Sequence, residues 1–154
     1  LRAALAGLDL GANSAALVHF DAQAGRVATG NRHPLLQAAV DRLAVGRGPR
    51  RIDLGLEAAA RDLSEARSAG AERLALVVLY TGSSGADAAE AGRVLSALAA
   101  HGVSAFSVAL GADADPGLLL PAGGDPRTVV HATEPSVAVA AVAEAAARLA
   151  DCGP

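Results

Sequence analysis

Aromatic residues and lysine are scarce in this chain of 154 residues, which holds one Tyr, two Phe, no Trp and no Lys. Aromatic side chains make up only 2% of the sequence although 52% of it is hydrophobic, so Ala, Leu and Val must fill the core. Small side chains of this kind favour helices packed closely on a sheet over a Tyr- or Trp-rich binding face. The length predicts a single domain, residues 1–154, with a core of its own.

An excess of basic charge is also missing. The 13 basic residues are all Arg and face 16 acidic ones, for a formal net charge of −3. This balance excludes the basic surface expected of a nucleic-acid or anionic-membrane partner. Apolar runs stay short of the roughly 18 residues of a membrane span. The segment Leu1–Leu5 lacks the layout of a signal peptide and is typical of the middle of a helix, so we expect the chain to be part of a longer protein.

Cysteine occurs once, at Cys152. A lone cysteine is often a small buried hydrophobe, and that interpretation stays open. This one, however, follows the last predicted helix in the polar tail Asp151–Pro154. Its position predicts a disulfide partner outside the chain and an oxidising, extracellular compartment.

Predicted strands and helices alternate along the chain. Two uninterrupted apolar runs, Leu74–Tyr80 and Val103–Leu110, are typical of strands covered on both faces. Helical spacing of apolar residues precedes and follows each of them. The remaining predicted strands are Ala15–Phe20, its hairpin partner Arg26–Thr29, and Thr128–His131. This order predicts an α/β fold with a doubly wound, mostly parallel sheet and helices on both faces.

Helix boundaries have clear local signals. Asp87 and Glu90 are spaced as a capping box, with Asp in place of the usual Ser or Thr. Gly70 and Gly102 each follow a helical apolar stripe and are predicted to end those helices. Asp115 before a proline predicts a short helical turn after the second buried strand.

Five segments, taken in order, resemble the von Willebrand factor type A family. Leu8–Gly11 followed by Ala15–Phe20 resembles the family's passage from a helix end into a strand. Ile52–Ala58 resembles its loop and helix start with the pattern T-N-T-G-x-A-L, and Leu76–Gly82 its strand V-V-V-L-L-T-D-G. The most specific match is His101–Gly111, which is similar to A-G-V-x-V-F-A-I-G-V-G. The resemblance covers essentially the whole chain and implies a Rossmann-like fold of the same type.

The resemblance also implies a degenerate metal-ion-dependent adhesion site. The family takes oxygen ligands from three loops, and the first loop is not in the chain. The Thr ligand corresponds to Ile52, which has no side-chain oxygen, and the Asp ligand corresponds to Thr81, which has no carboxylate. Asp53 is displaced by one residue from the second loop position. Hard cations need a cluster of oxygens, so we expect no metal and no cofactor.

One central strand of the family is absent from the chain. In the family it lies between the strands that correspond to Ala15–Phe20 and Leu74–Tyr80. A vacancy there leaves two rows of backbone donors and acceptors without partners. Either residues upstream of Leu1 supply the strand, which we favour, or the two flanking strands pair directly.

The candidate binding residues follow the predicted strand ends, where ligands collect in doubly wound folds. They are Asp53, Thr81, Ser83, Ser84 and Asp113. All of them can equally be solvated turn residues. Arg47, Arg50 and Arg51 form a small basic cluster, for which solvation is the simplest interpretation and an acidic ligand such as a sulfated glycan the alternative.

The family resemblance implies a secreted, non-catalytic module, similar to those of collagens or matrilins, that binds another protein in the extracellular matrix or plasma. A structural role, in which the module spaces other modules of the same chain, is the simpler version of this expectation. The sequence shows no nucleophile elbow and no histidine pair spaced as metal ligands, so we expect no enzyme. A Rossmann-like nucleotide-binding or enzymatic domain that uses the Gly82–Gly85 loop is the alternative. An intracellular scaffold with the same fold is a third possibility.

Overall fold

The computed structural model describes Ala6 and residues 14–43, 49–82, 87–119 and 128–151, the side chains of 146 and 148–151 excepted. The elements come in the predicted order: two strands, then two helices, and then strands that alternate with helices. The strands are β1 (Ala15–Phe20), β2 (Ala24–Gly30), β3 (Ala75–Thr81), β4 (Ser104–Leu110) and β5 (Val129–Ala132). The helices are α1 (His33–Asp41), α2 (Ile52–Ser68), α3 (Ala88–Ala100) and α4 (Pro135–Asp151), and Pro116–Leu119 forms a 3-10 turn.

Helices α2 and α3 each end at the glycine that the sequence predicts. Gly70 and Gly102 have φ angles of 95° and 72°, in the left-handed region where a side chain is strained. The N–H of Val103 donates to the Leu98 carbonyl at 3.0 Å and that of Gly102 to the Ala99 carbonyl at 2.9 Å, which is the bond pair of a Schellman ending. The same two bonds close α2. Among the described helices, none combines the length and hydrophobicity needed to cross a bilayer.

The start of α3 shows half of the expected capping box. The carboxylate of Asp87 accepts the N–H of Glu90 at 3.0 Å, as predicted. The Glu90 carboxylate is bound by Nε of Arg93 at 2.8 Å instead of turning back to the Asp87 N–H. That N–H points to Oδ1 of Asp53, 3.5 Å away. The backbone N–H of Asp87, at the start of α3, therefore contacts Asp53 of α2 instead of the Glu90 carboxylate of its own helix.

The strands form two sheets. Strands β3, β4 and β5 make a parallel sheet in that order. Strands β1 and β2 make an antiparallel hairpin, with a register shift between Leu17 and Val18. Among the described strands no hydrogen-bonded ladder joins β1 to β3. Direct pairing of those two strands, one of the alternatives left open by the sequence, is therefore wrong.

Helices cover both faces of the parallel sheet. Side chains alternate between the faces of a strand, so Val78 and Tyr80 of β3 face α2 and α3, whereas Val77 and Leu79 face α4. The apolar runs of β3 and β4 are explained by this burial on both sides. The predicted α/β class, with a parallel sheet flanked by helices, is confirmed. The core on the α3 side includes Ile52, Leu56, Val94, Leu95 and Leu98, and that on the α4 side includes Phe106, Val108, Ala138, Ala141 and Val142.

Helix α2 packs on the hairpin as well as on α3, and it thereby connects the two sheets. Phe20, the last residue of β1, belongs to the same apolar cluster as Ile52 and Leu56 of α2. Its ring lies directly on Gly55, where an added Cβ would come within 2.6 Å of Cδ1 of the ring. Glycine at 55 is therefore required by this close approach and not by a turn.

Two further contacts hold the hairpin between α1 and α2. Leu36 of α1 is fully buried and packs against Ala15 and Ala28. On the α2 side, Nε of Arg26 donates to the Asp62 carboxylate at 2.8 Å. The Arg26 side chain is 42% exposed, so this ion pair contributes little free energy, and the apolar contacts hold the hairpin in place.

Candidate functional site

The strands β1, β3 and β4 end at one edge of the molecule, which we name the carboxyl edge. Parallel pairing places the ends of β3 and β4 side by side, with Thr81 opposite Leu110. The end of β1 lies at the same edge because the carbonyl of Asp21 accepts the N–H of Arg51 at 2.9 Å. In doubly wound folds ligands bind at this edge. The carboxyl edge comprises Asp21, Arg50–Asp53, Thr81, Asp87 and Asp113.

An ion pair between a buried carboxylate and a partly exposed guanidinium lies within the carboxyl edge. Asp53 is 1% exposed, and each of its carboxylate oxygens lies 3.0 Å from Nε of Arg51. Nη2 of Arg51 adds a contact of 2.5 Å to Oδ2. The expectation that Asp53 faces a partner is therefore corrected: its carboxylate points inward, because a charge so buried needs partners inside the protein, which Arg51 and the Asp87 N–H provide.

The Arg51 guanidinium lowers the pKa of the Asp53 carboxyl from its ordinary value, because its hydrogen bonds favour the charged form. Burial acts in the opposite direction, and the N–H of Asp87 lowers the pKa further. The pKa in the folded state thus lies below the unfolded value of 3.8. The pair stabilises the fold above that pH, and the stabilisation is lost as the pH falls through the folded pKa.

Two consecutive arginines connect the ends of β1 and β3. Nε of Arg50 donates to the carbonyl of Thr81 at 3.1 Å, while the backbone N–H of Arg51 donates to the carbonyl of Asp21. The two contacts fix both strand ends against the start of α2. At these two positions the predicted basic cluster makes contacts within the protein, and Arg47 lies outside the described residues.

The side chains of Ile52, Asp53 and Thr81 do not fit a hard divalent cation. Ile52 is fully buried and offers only hydrocarbon. Thr81 offers a neutral hydroxyl, and its carbonyl already accepts Arg50. Asp53 carries a carboxylate, but the Arg51 guanidinium neutralises it. In the part of the chain that the structure describes, no three His, Cys, Asp or Glu side chains are grouped as metal ligands.

Of the other candidate binding residues, two are exposed and two lie outside the described residues. Thr81, the last residue of β3, and Asp113, after the end of β4, are both exposed, so they can face a partner. Ser83 and Ser84 lie outside the described residues, and so does Cys152. The exposed part of the candidate site that the structure describes therefore consists of Thr81 and Asp113.

Arg51 and Asp87 were not predicted from the sequence as partners of Asp53. A weak signal was present, since Asp53 falls in the first turn of α2, where the helix dipole favours a carboxylate. Burial of that carboxylate could not be inferred from the spacing, because Asp87 lies 34 residues away in the sequence.

Tyr80 connects β3 to the segment after β4, beneath the carboxyl edge. Its side chain is 2% exposed, and its hydroxyl donates to the carbonyl of Asp115 at 2.6 Å. Burial, aided by the charge of Asp115, raises the pKa of Tyr80 to about 12. The hydroxyl therefore stays neutral and keeps its role as a donor well above neutral pH.

We expect Tyr80→Phe to lower the free energy of unfolding by about 1 kcal/mol, since it removes one buried hydrogen bond. The variant should also lose less stability in alkali. The folded pKa of about 12 exceeds the unfolded value of 10.0, so the contribution of Tyr80 is complete below pH 10.0 and is lost as the pH rises toward 12. Tyr80 is the sole tyrosine and the chain has no Trp, so tyrosinate absorbance reports on this residue alone. A titration midpoint near 10.0 in the folded protein would contradict the prediction.

No protein-family model matches the sequence, and no curated protein matches it. Among solved structures, proximal thread matrix protein 1 from the mussel byssus superposes with a TM-score of 0.71 and 16% identity over 92% of this chain. The match covers 37% of that protein's chain. An uncharacterized membrane-spanning protein from Vibrio fischeri gives a TM-score of 0.37 at 16% identity, over 89% of this chain and 76% of its own, which establishes no shared fold. The chain thus has the α/β fold of one part of a matrix protein, a fold consistent with the von Willebrand factor A type.

Proposed function

We propose that this chain is a non-catalytic protein-binding module of the von Willebrand factor A type, within a secreted multidomain protein of the extracellular matrix or plasma. The observation that carries the proposal is the fold shared with a mussel byssus matrix protein over 92% of the chain. The order of the family motifs in the sequence supports the same assignment. In such a module the partner is a protein, and contact depends on surface shape and charge.

Binding by this module does not use a metal ion. A metal-dependent contact needs a cation held by protein oxygens with a coordination position open to the partner. Here the Asp53 carboxylate is already paired with a guanidinium, and the neighbouring Ile52 side chain is fully buried hydrocarbon. Arg51 thus supplies, from within the chain, the positive charge that a bound cation would bring to Asp53.

The proposed contact surface is the exposed part of the carboxyl edge. Thr81 ends β3, Asp113 follows the adjacent strand β4, and both residues are exposed. β3 ends at Thr81, and Asp113 lies three residues after the end of β4, so a partner at this edge meets one hydroxyl and one carboxylate. Charged groups at the rim of an interface act mainly on association rate and specificity. A charge reversal at Asp113 should therefore weaken binding without unfolding the module.

The test is binding of the chain to immobilised extracellular-matrix proteins, fibrillar collagen included, with and without a chelator. We expect binding that survives the chelator and that Asp113→Arg weakens roughly ten-fold. The matched control is Glu72→Arg, an equal charge change at an exposed position before β3, at the opposite edge of the sheet. It should leave affinity unchanged. Loss of binding in the chelator, or equal effects of the two variants, would refute the proposed surface and its independence from metal.

Calorimetric titration with magnesium and with nucleotides separates this function from the alternative enzymatic domain, because the module should give heat with neither.

Secretion is tested at Cys152, by mass spectrometry of the mature full-length protein. A disulfide at Cys152 supports the extracellular assignment, whereas a free thiol would count against it.

A further inference from the structure

The peptide bond between Asp115 and Pro116 lies in the turn that follows β4. The sequence predicts a short helical turn there, and Pro116–Leu119 forms one. The carbonyl oxygen of Asp115 accepts two hydrogen bonds, from the Tyr80 hydroxyl at 2.6 Å and from the N–H of Leu118 at 3.2 Å. Two donors on one carbonyl oxygen stabilise the negative charge that forms when a nucleophile attacks the carbonyl carbon.

The side chain of Asp115 is a nucleophile close to that carbon. Its Oδ1 accepts the N–H of Gly117 at 2.8 Å. The ring closed by this hydrogen bond includes the carbonyl carbon of Asp115 and the nitrogen of Pro116, so the carboxyl group is held near the bond between them. A nucleophile tethered at such short range reacts as though it were highly concentrated. Asp115 is exposed, so water reaches the same place.

The protein fixes the chain on both sides of this bond. Ala114, which is 3% exposed, and Leu119, which is 2% exposed, belong to the apolar cluster that contains Tyr80. The 3-10 turn packs against α3. Tyr80 is itself 2% exposed, and its hydroxyl stays neutral below its raised pKa of about 12. The carbonyl of Asp115 therefore keeps its side-chain donor in neutral and mildly acidic solution.

Proline provides a favourable leaving group on the other side of the bond. Pro116 has no N–H, because its nitrogen is bonded to three carbon atoms. Such a nitrogen is more basic than that of other peptide bonds, so it accepts a proton more readily as the bond breaks. The chain contains one other Asp–Pro bond, Asp125–Pro126, which lies outside the described residues.

We propose that Asp115–Pro116 is a self-cleavage site, at which the Asp115 side chain breaks its own peptide bond. A carboxyl oxygen of Asp115 bonds to the main-chain carbonyl carbon, the bond from that carbon to the Pro116 nitrogen breaks, and the carboxyl proton passes to the nitrogen. A cyclic anhydride is left on Asp115 as the covalent intermediate. One water molecule then opens the anhydride and leaves Asp115 with two carboxyl groups. Nothing is oxidised or reduced.

The cleaved module stays assembled. The elements after the bond remain attached, because β5 pairs with β4 and α4 packs Ala138, Ala141 and Val142 on the same sheet. The new carboxylate at Asp115 comes two residues after Asp113, so it adds negative charge beside the carboxyl edge. The cleavage does not depend on the adhesion function, although it changes the charge next to the proposed contact surface.

The test follows cleavage of the full chain, in buffer and in denaturant, at about pH 5, where the Asp53–Arg51 pair is still formed. Mild acid supplies the carboxyl proton that the leaving nitrogen takes up. Mass spectrometry of the fragments 116–154 and 126–154 gives the rate at each Asp–Pro bond separately. We expect the folded chain to break Asp115–Pro116 roughly ten-fold faster than Asp125–Pro126. Denaturant should abolish this difference, and the rate should not depend on protein concentration.

Two variants test the assigned groups. Asp115→Asn keeps an acceptor for the Gly117 N–H but removes the acid, so it should abolish cleavage at this bond. Tyr80→Phe should slow that cleavage roughly ten-fold in the folded chain and leave the rate at Asp125–Pro126 unchanged.

Equal rates at the two bonds of the folded chain, or a faster reaction at Asp115–Pro116 in denaturant than in buffer, would overturn the proposal. These two comparisons use the unmodified chain, so they decide the question even if a variant fails to fold. Cleavage that persists in Asp115→Asn, or that a folded Tyr80→Phe leaves unchanged, would overturn it as well.

Discussion

Gly55→Ala should lower the free energy of unfolding by about 2 kcal/mol, although alanine is the better helix former. Gly55 lies within α2, where a change to alanine alone would stabilise the helix by roughly 0.5–1 kcal/mol. The new Cβ would lie 2.6 Å from Cδ1, 2.7 Å from Cγ and 3.0 Å from Cβ of Phe20. Because the contacts reach the base of the Phe20 side chain, rotation of the ring cannot relieve them, and the hairpin must move away from α2.

Gly92→Ala is the matched control. Gly92 lies within α3, and no heavy atom comes within 4 Å of the position its Cβ would take. This variant should be stabilised by about 0.5–1 kcal/mol. Denaturant unfolding measures both variants, and a third, Gly55→Ala with Phe20→Ala, tests the cause. If the clash with Phe20 is responsible, the double variant should show coupling of about 1 kcal/mol or more. Stabilisation by Gly55→Ala alone would show that β1 and α2 are not packed as described.

Most elements of the fold could be predicted because their signals are local. The apolar run Leu74–Tyr80 is bounded by polar residues and needs only its own composition to indicate a buried strand. Gly102 ends α3 through bonds that reach back three and five residues, from Gly102 to Ala99 and from Val103 to Leu98. Boundaries shifted by a residue or two, as in β5, where the prediction was Thr128–His131 and the strand is Val129–Ala132.

The pairing of the strands and the orientation of the charged side chains depend on distant residues. Whether β1 pairs with β3 is decided by contacts between segments about 60 residues apart, and no periodicity in either strand records it. The orientation of the Asp53 side chain likewise depends on a residue that is distant in the sequence. Its position after a loop suggested an exposed side chain, whereas Arg51 and the N–H of Asp87 draw it inside. The structure places Asp53, Thr81 and Asp113 at the carboxyl edge, and it directs the Asp53 carboxylate inward and not toward a partner.

Among the charged side chains of the carboxyl edge, Arg51→Ala should be the most damaging truncation, at about 3 kcal/mol near neutral pH. It leaves the Asp53 carboxylate buried, with the long 3.5 Å bond from the Asp87 N–H as its remaining described partner. Asp53→Ala should cost less, about 2 kcal/mol, because the Arg51 side chain is 39% exposed and can turn to water. Arg93→Ala is the control. The Arg93 side chain is 69% exposed in its ion pair with Glu90, so its removal should cost below about 1 kcal/mol.

The pH dependence identifies the mechanism of that loss. In the unmodified chain the lowered pKa of Asp53 makes the ion pair stabilising above pH 3.8, and stability declines as acid protonates the carboxylate. In Arg51→Ala burial acts without the guanidinium, so the pKa of Asp53 should rise above 3.8 and protonation should relieve the penalty. The stability difference between the two proteins should therefore shrink as the pH falls toward 3.8, as followed by denaturant unfolding at several pH values. A stability difference that stays constant with pH would mean that Arg51 acts through packing of its aliphatic stem. In that case the double variant Arg51→Ala with Asp53→Ala would be no more stable than Arg51→Ala alone.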